Sequence, residues 1–315
     1  MKKVIFNLFV LSSFIGYGQS QNNHWFFGSN AGIDFSSGIA VADTNGQLQS
    51  YETGSSISDT SGTLLFYTNG SSFNLYGLPG GVWNTNHQLM PNGVLNESTS
   101  CNSAATGTLI VPDPKNQNEY YIFTLDCVEN GQNGGLRYHK VDMSLESGLG
   151  DVTDKEIPVL IVPLQESIIA IKHPNDSAYW LIVTELAPSN FHVLYLDAFG
   201  IIDSLVIPIS STSGVTGTMR INSTSDLFVN ASLSDFVLYD FDNLTGQISN
   251  PIDLGFGGIC AISPNDSVLY SVEPAVGICQ FDLSAVNIPA TKIIISPWSS
   301  GIGIMAAAPD DSTSV

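Results

Sequence analysis

Positive charge is the scarcest thing in this sequence. Nine Lys and Arg stand against 29 Asp and Glu, a formal net charge of −20 over 315 residues. A surface this acidic repels phosphate backbones and anionic headgroups, which excludes nucleic acid and the inner leaflet of a membrane as partners. Charge of either sign is sparse too, at 12%, so solubility rests on Ser, Thr, Asn and Gly. Cysteine is limited to Cys101, Cys127, Cys260 and Cys279. Four in a chain this long make no disulfide scaffold, and the absence of any CxxC spacing argues against a zinc site. Also missing is a capped run with apolar residues at i, i+3, i+4 and i+7, so no helix is expected. Beyond residue 20 no apolar run is long enough to span a bilayer.

What is present begins with an export signal. Lys2 and Lys3 precede the apolar stretch Val4 to Ile15, and small residues follow around Gly16-Tyr17-Gly18-Gln19-Ser20. Charged, apolar and small segments in that order read as a signal peptide over residues 1–20. No Cys sits at the cleavage region to carry a lipid anchor. The mature chain, 21–315, is expected to be secreted or held at the outer cell surface.

That mature chain is a series of short apolar strands punctuated by a recurring turn. Ser263-Pro264-Asn265-Asp266-Ser267 leads into Val268-Leu269-Tyr270-Ser271, and His173-Pro174-Asn175-Asp176-Ser177 leads into Ala178-Tyr179-Trp180. Pro112-Asp113-Pro114-Lys115 before Tyr120-Tyr121-Ile122-Phe123 is a longer version, and Asn222-Ser223-Thr224-Ser225-Asp226 a degenerate one. Asp59-Thr60-Ser61-Gly62 separates two apolar runs in the way of a hairpin turn. Third strands share an aromatic followed by Asp: Tyr138 with Asp142, Tyr195 with Asp197, Tyr239 with Asp240 and Asp242, Phe281 with Asp282. That pattern reads as a repeated packing position. Units of roughly 40–50 residues with four strands each are the mark of a β-propeller. A four-stranded sheet cannot bury both of its faces alone, and radial stacking buries them in series. Five such blades and the start of another can be counted before the sequence ends inside a blade.

The residues also resemble a family. His24-Trp25-Phe26-Phe27-Gly28-Ser29-Asn30-Ala31-Gly32-Ile33-Asp34-Phe35 is similar to the start of the propeller region of large secreted Bacteroidetes proteins. So are Ser58-Asp59-Thr60-Ser61-Gly62-Thr63-Leu64-Leu65-Phe66-Tyr67-Thr68-Asn69-Gly70, Val82-Trp83-Asn84-Thr85-Asn86-His87-Gln88-Leu89-Met90-Pro91-Asn92-Gly93 and Val141-Asp142-Met143-Ser144-Leu145. The resemblance implies a YVTN- or WD40-like propeller of about seven blades and type IX secretion. It also implies tethering to a gliding-motility-type C-terminal sorting domain, which this sequence does not contain. The expected architecture is therefore an incomplete seven-bladed ring, with open strand edges that make it a poor solo folder.

No catalytic set is expected. GxSxG, HExxH and Walker loops are absent. Gly301-Ile302-Gly303-Ile304-Met305-Ala306 matches a dinucleotide fingerprint without the following helix. Asp59-Thr60-Ser61-Gly62 is like the Asp-box turn of sialidase propellers, but three clamping arginines are needed there and only Arg137 and Arg220 exist. The five histidines His24, His87, His139, His173 and His192 lack metal-ligand spacing, and Gly255-Phe256-Gly257-Gly258 reads as a loop between blades. Asp240-x-Asp242-Asn243-x-x-Gly246 is like a calcium loop without its bidentate Glu and reads as a turn. No cofactor is expected, although an acidic exported chain can take up Ca²⁺ adventitiously. Trp25, Trp83, Trp180 and Trp298 could stack on sugars or pack between blades. Cys101 and Cys127 lie where they could meet across a hairpin. Cys260 and Cys279 fall on first and third strands, roughly 9–10 Å apart, too far for a bridge that needs under about 7 Å. Two functions stay open: a non-catalytic module that binds a protein or glycan ligand or acts as a spacer, and a lactonase- or hydrolase-like enzyme with a metal in the central channel.

Overall fold

The structure, a computed structural model, describes residues 20–71, 80–95, 101–209, 214–232, 234–297, 306–307 and 313–314. The signal segment, Trp298 and the glycine-rich run after it lie outside these residues, apart from Ser20 and Ala306.

Every described strand pairing within a sheet is antiparallel. A three-stranded sheet comes first: β1 (His24–Phe27), β2 (Ala31–Asp34) and β3 (Val41–Asp43). Five four-stranded sheets follow, each ordered as in the sequence. The first holds β4 (Ser55–Ser58), β5 (Leu64–Thr68), β6 (Gly81–Asn84) and β7 (Leu89–Val94). The second holds β8 (Thr108–Pro112), β9 (Glu119–Leu125), β10 (Leu136–Asp142) and β11 (Asp151–Leu160). The third holds β12 (Leu164–Lys172), β13 (Tyr179–Leu186), β14 (Ser189–Asp197) and β15 (Gly200–Pro208). The fourth holds β16 (Gly217–Ile221), β17 (Leu227–Ser232), β18 (Phe236–Asp242) and β19 (Gln247–Gly255). The fifth holds β20 (Ile259–Ile262), β21 (Val268–Glu273), β22 (Gly277–Asp282) and β23 (Ile293–Pro297). A pair, β24 (Ala306–Ala307) with β25 (Thr313–Ser314), ends the described chain. Helix among the described residues is limited to four short 3₁₀ turns.

First strands stand side by side in chain order, β1 next to β4, then β8, β12, β16, β20 and β24. Sheets radiating from a row of first strands make this an all-β β-propeller. The sequence count of five blades plus a fragment misses the sheet of β1 to β3. Its third strand, Val41–Asp43, is mostly exposed and gives no apolar alternation to read.

The packing follows from the two-residue period of a strand. On β9, Tyr120 and Ile122 join Phe66, Val82 and Met90 of the preceding sheet. Tyr121 and Phe123, between them in sequence, join Leu181 and Val183 of the following sheet. β13 repeats this: Leu181 and Val183 face backward, while Trp180 and Ile182 face forward onto Phe228 and Tyr239. On β18, Val237 and Tyr239 face back, and Phe236 and Leu238 meet Leu269 and Phe281. A middle strand therefore reads as continuously apolar because both faces are covered, and each large side chain so buried contributes roughly 1.5–3 kcal/mol. Outermost strands lack a second cover: Ile293, Ile294 and Ile295 of β23 are all exposed.

Candidate functional site

Antiparallel order gives each blade two unlike ends. Turns joining first to second and third to fourth strands share one end, here the turn rim. Loops joining second to third strands, and the connections between blades, share the other, here the mouth.

The rim is built from the repeated turns. Asp59 Oδ1 accepts the Ser61 N–H at 2.8 Å, the Ser61 hydroxyl at 2.6 Å and the Thr63 N–H at 3.0 Å. Asn222 Oδ1 accepts the N–H groups of Asp226 and Leu227 at 3.0 and 2.9 Å. Where an Asp closes a third strand it also opens a turn: Asp142 Oδ1 takes the Ser144 N–H, Asp242 Oδ1 the Leu244 N–H and Asp282 Oδ1 the Ser284 N–H. The aromatic partner packs and the Asp does not, so the repeated pair is a packing residue joined to a turn residue. Asp242 also accepts the Thr245 hydroxyl at 2.8 Å, and Asp240 takes the Asn250 amide at 2.6 Å. The calcium-like stretch is thus a turn whose carboxylates already have donors. Rim groups also join neighbouring blades, with the Trp180 indole N–H donating to the Asn243 carbonyl at 2.9 Å.

At the mouth the chain brings three glutamates together. β12 begins with a bulge, since pairing with β13 jumps from Leu164–Glu185 to Ile168–Val183. The bulged residues Gln165, Glu166 and Ser167 are pinned on both sides. Glu166 N–H donates to the Val215 carbonyl at 2.9 Å, and its own carbonyl accepts the Thr106 N–H at 2.9 Å. Thr106 and Ser167 form a parallel bridge, with their hydroxyls 2.7 Å apart. Glu166 is thereby held 1% exposed on an innermost strand. Its Oε1 accepts the Val128 N–H at 2.7 Å. Next to Val128 is Glu129, exposed to solvent, whose Oε1 accepts the Ser103 hydroxyl at 3.0 Å. Next to Ser103 is Asn102, whose carbonyl accepts the N–H of Glu52, also exposed, at 3.0 Å.

A disulfide joins the two loops that carry these groups: Cys101 and Cys127 are bonded, with Cα atoms 5.8 Å apart. The loop after β9 is further shaped by Asp126 Oδ2, which accepts the Gly134 N–H at 2.9 Å. Gly135 is required there. Its φ is +64°, and a Cβ would lie 2.1 Å from the Leu160 carbonyl oxygen. Sulfur atoms of Cys101 and Cys127 and a Glu129 oxygen lie within 4.8 Å of one another. With both sulfurs bonded to each other, Glu129 alone is free to act as a ligand.

Burial pushes the Glu166 carboxyl up to about 7 against the lowering pull of the Val128 N–H, and the charges of Glu129 and Glu52 add to the rise. Glu52 is raised as well, by desolvation and then by Glu129. Among the described residues no Lys, Arg or His forms an ion pair with any of the three. Glu166 Oε2 and both side-chain polar atoms of Asn102 are buried without a hydrogen-bond partner.

Other sequence candidates lie elsewhere. Cys260 and Cys279 are free and buried, pairing with Ser271 from opposite sides. Trp83 stacks on Tyr67 at 5.6 Å, Trp25 meets Phe35 edge-on at 5.1 Å, and Trp180 lies between blades. His139 is fully buried and held neutral, its pKa lowered to about 4 by desolvation and then by Lys155 and Arg137. His192 pairs with Glu185 at 2.9 Å. No histidine joins the glutamates. The glutamates themselves are invisible as a motif; the one local hint is the polar run Gln165-Glu166-Ser167 opening an otherwise apolar innermost strand.

No protein-family model and no curated protein matches the chain. Solved structures do. A candidate 6-phosphogluconolactonase from Bacteroides uniformis is 11% identical with a TM-score of 0.55, over 89% of this chain and 82% of that one. A functionally unknown protein from Desulfotomaculum acetoxidans is 12% identical with a TM-score of 0.53, over 85% and 82%. The periplasmic gluconolactonase of Pseudomonas aeruginosa is 14% identical with a TM-score of 0.51, over 90% and 79%. The likeness is one of fold. At such identities it carries no chemistry from one protein to the other.

Proposed function

We propose that this chain is a non-catalytic, exported propeller module that holds a protein or glycan ligand at the mouth. The observation that carries the reading is the acidic group of Glu52, Glu129 and Glu166, which has no basic partner among the described residues. Structural carboxylates in this protein, as at the rim, are supplied with donors. Carboxylates at the mouth without a basic partner suit an external one. The test is a screen of the mature chain against arrayed glycans and cationic peptides, repeated with Glu52→Gln/Glu129→Gln. Binding that the double variant loses supports the reading, and binding that it keeps in full overturns it.

The competing reading is a lactonase-like enzyme with a metal in the channel. Two of the structural neighbours are described as lactonases. A phosphorylated sugar lactone would be repelled by the same three charges, which favours the binding reading. Turnover of sugar lactones that Glu166→Gln abolishes would replace it.

The ring is read as seven-bladed, supported by the seven first strands from β1 to β24 standing in order. An experimental structure closing on another number would end this. Export is supported by the signal-like start and by a disulfide, which persists in oxidising compartments. The chain is assigned to the secreted Bacteroidetes propellers it resembles, exported by type IX secretion with a sorting domain in full-length relatives. Retention in the cytoplasm of a Bacteroidetes host would refute that assignment.

A further inference from the structure

We propose that the outer edge of β23 is a self-association surface, where a second copy of this chain adds its own β23 antiparallel to the first. This surface is independent of what the mouth holds.

The outermost strands of the blades are not alike. An edge strand shows a row of unpaired backbone groups to solvent, and prolines or charges along it keep other strands from pairing there. β7 carries Pro91, β11 carries Lys155 and Pro158, β15 carries Asp203, and β19 carries Pro251 and Asp253. The outer strand of the first sheet, β3, is only three residues long and ends in Asp43. β23 has none of these between its ends: Ile293, Ile294 and Ile295 run consecutively before Ser296 and Pro297. The three are 52%, 58% and 47% exposed, and no described strand pairs with their outer edge. Consecutive β-branched side chains favour extended backbone, so the edge is ready to pair.

Charge selects the occupant. At −20 the chain as a whole repels copies of itself. Around β23 that repulsion has no local source. From Leu283 to Pro309 the sequence has no acid and one base, Lys292, which is bonded to Glu273 of its own blade. A basic segment would find no free acid on β23, and an acidic one would be repelled by the rest of the surface. An uncharged apolar strand fits, and β23 is itself one. Pairing centred on Ile294 is self-complementary: Ile294 meets its own copy, Ile293 meets Ile295, and Lys292 meets Ser296, so no like charges face each other. Each copy spends its edge on the other, so the assembly closes at two. A five-residue strand buries on the order of 600–900 Å² in such a pair, below the roughly 1,200 Å² of stable interfaces. The dimer is therefore weak and reversible, with Kd on the order of 0.1 mM.

Sedimentation equilibrium on the mature chain, from roughly a tenth of that Kd to ten times it, reads the association. A monomer–dimer equilibrium is expected, and it should tighten as NaCl rises from about 0.05 to 0.5 M, because screening weakens the net-charge repulsion. Ile294→Lys changes an exposed side chain and should melt with wild type yet stay monomeric. Ile294→Cys should give a disulfide-linked dimer on mild oxidation, whereas Ser296→Cys, placed opposite Lys292, should not. Val206→Lys, at an exposed apolar position of β15, should leave the dimer intact. A chain that is monomeric at every concentration overturns the proposal, as does one that grows into open-ended aggregates. A dimer that persists in Ile294→Lys, or is lost equally in Val206→Lys, overturns it too. If Ile294→Lys melts lower, Ile294→Cys decides: failure to link while the wild type dimerises means that the copies meet elsewhere, and strand pairing falls.

Discussion

At the rim, Asp59 has three donors around one oxygen, and the Ser61 hydroxyl first, then the Thr63, Ser61 and Gly62 amides, hold its carboxyl below the usual range. At the mouth, burial outweighs the pull of the Val128 and Ala105 N–H groups on Glu166, which lies deeper and is pushed up to about 7. The same chemical group meets opposite conditions at the two ends of a blade. Asp226 and Asp242 repeat the rim pattern, lowered chiefly by Thr224 and Thr245 respectively. The rim is finished without help, with its acids serving backbone turns. The mouth holds an acid that reaches a turn far from it in sequence, Glu166 to the Val128 N–H, and is fixed in place by a bulge, while a covalent bond ties the loops around it. A repeated feature tells how blades are made; the unrepeated one tells where a partner would sit.

Four experiments can break or sharpen this contrast. The largest effect should come from the clasp of the mouth. Replacing both Cys101 and Cys127 by Ser should cost about 2–5 kcal/mol, read as a lower urea midpoint. A change near zero would mean the loops are held by their hydrogen bonds alone.

Next is the sign of the pH dependence at each end. A raised carboxyl contributes stability that is fully present below its unfolded pKa and lost as pH rises through its folded one. For Glu166 that window runs from 4.5 to about 7. Glu166→Gln should therefore stabilise by up to about 3 kcal/mol at pH 8 and by nothing near pH 4. Lowered rim carboxyls behave oppositely: their stability is present above the ordinary Asp range and lost on acidification. Urea melts of wild type and variant at both pH values check the pair, and a gain in Glu166→Gln that does not vary with pH would remove the contrast.

A smaller loss should follow Asn222→Ala, which strips two backbone donors of their acceptor in a rim turn. About 1–3 kcal/mol is expected, read as a lower urea midpoint. A loss near zero would mean that water serves the two amides as well as the side chain does. Smallest is Trp180→Phe, which keeps most of the ring between blades and drops the N–H bond to Asn243. About 1 kcal/mol of stability should be lost, measurable by the thermal midpoint, and a much larger drop would show that the indole packs more tightly than its N–H bond alone implies.

The rim could be read directly from the residues, and the mouth could not. Asx-type turns are local: Asp59 bonds residues two and four places on, Asn222 residues four and five on. Such a turn leaves its signature in a few consecutive letters wherever it recurs. The third-strand aromatics were legible as packing residues, while the Asp after them was misread as part of that packing because a turn opener and a strand end coincide. The sheet of β1 to β3 was missed because its outer strand has no buried side to reveal it. Glu52 and Glu129 stand in two separate connections and Glu166 at the bulged start of β12, and nothing in any one of these stretches marks it as a neighbour of the others.

By itself, then, the sequence determined the repeating unit: alternating apolar residues that face two neighbours, closed by self-bonded turns, under a strongly acidic surface. The tertiary structure alone decided which acids meet. Strand alternation and turn bonding act over a few residues and are written where they act. Proximity at the mouth depends on how whole sheets stack, and on a bulge and a disulfide that hold distant loops in one place.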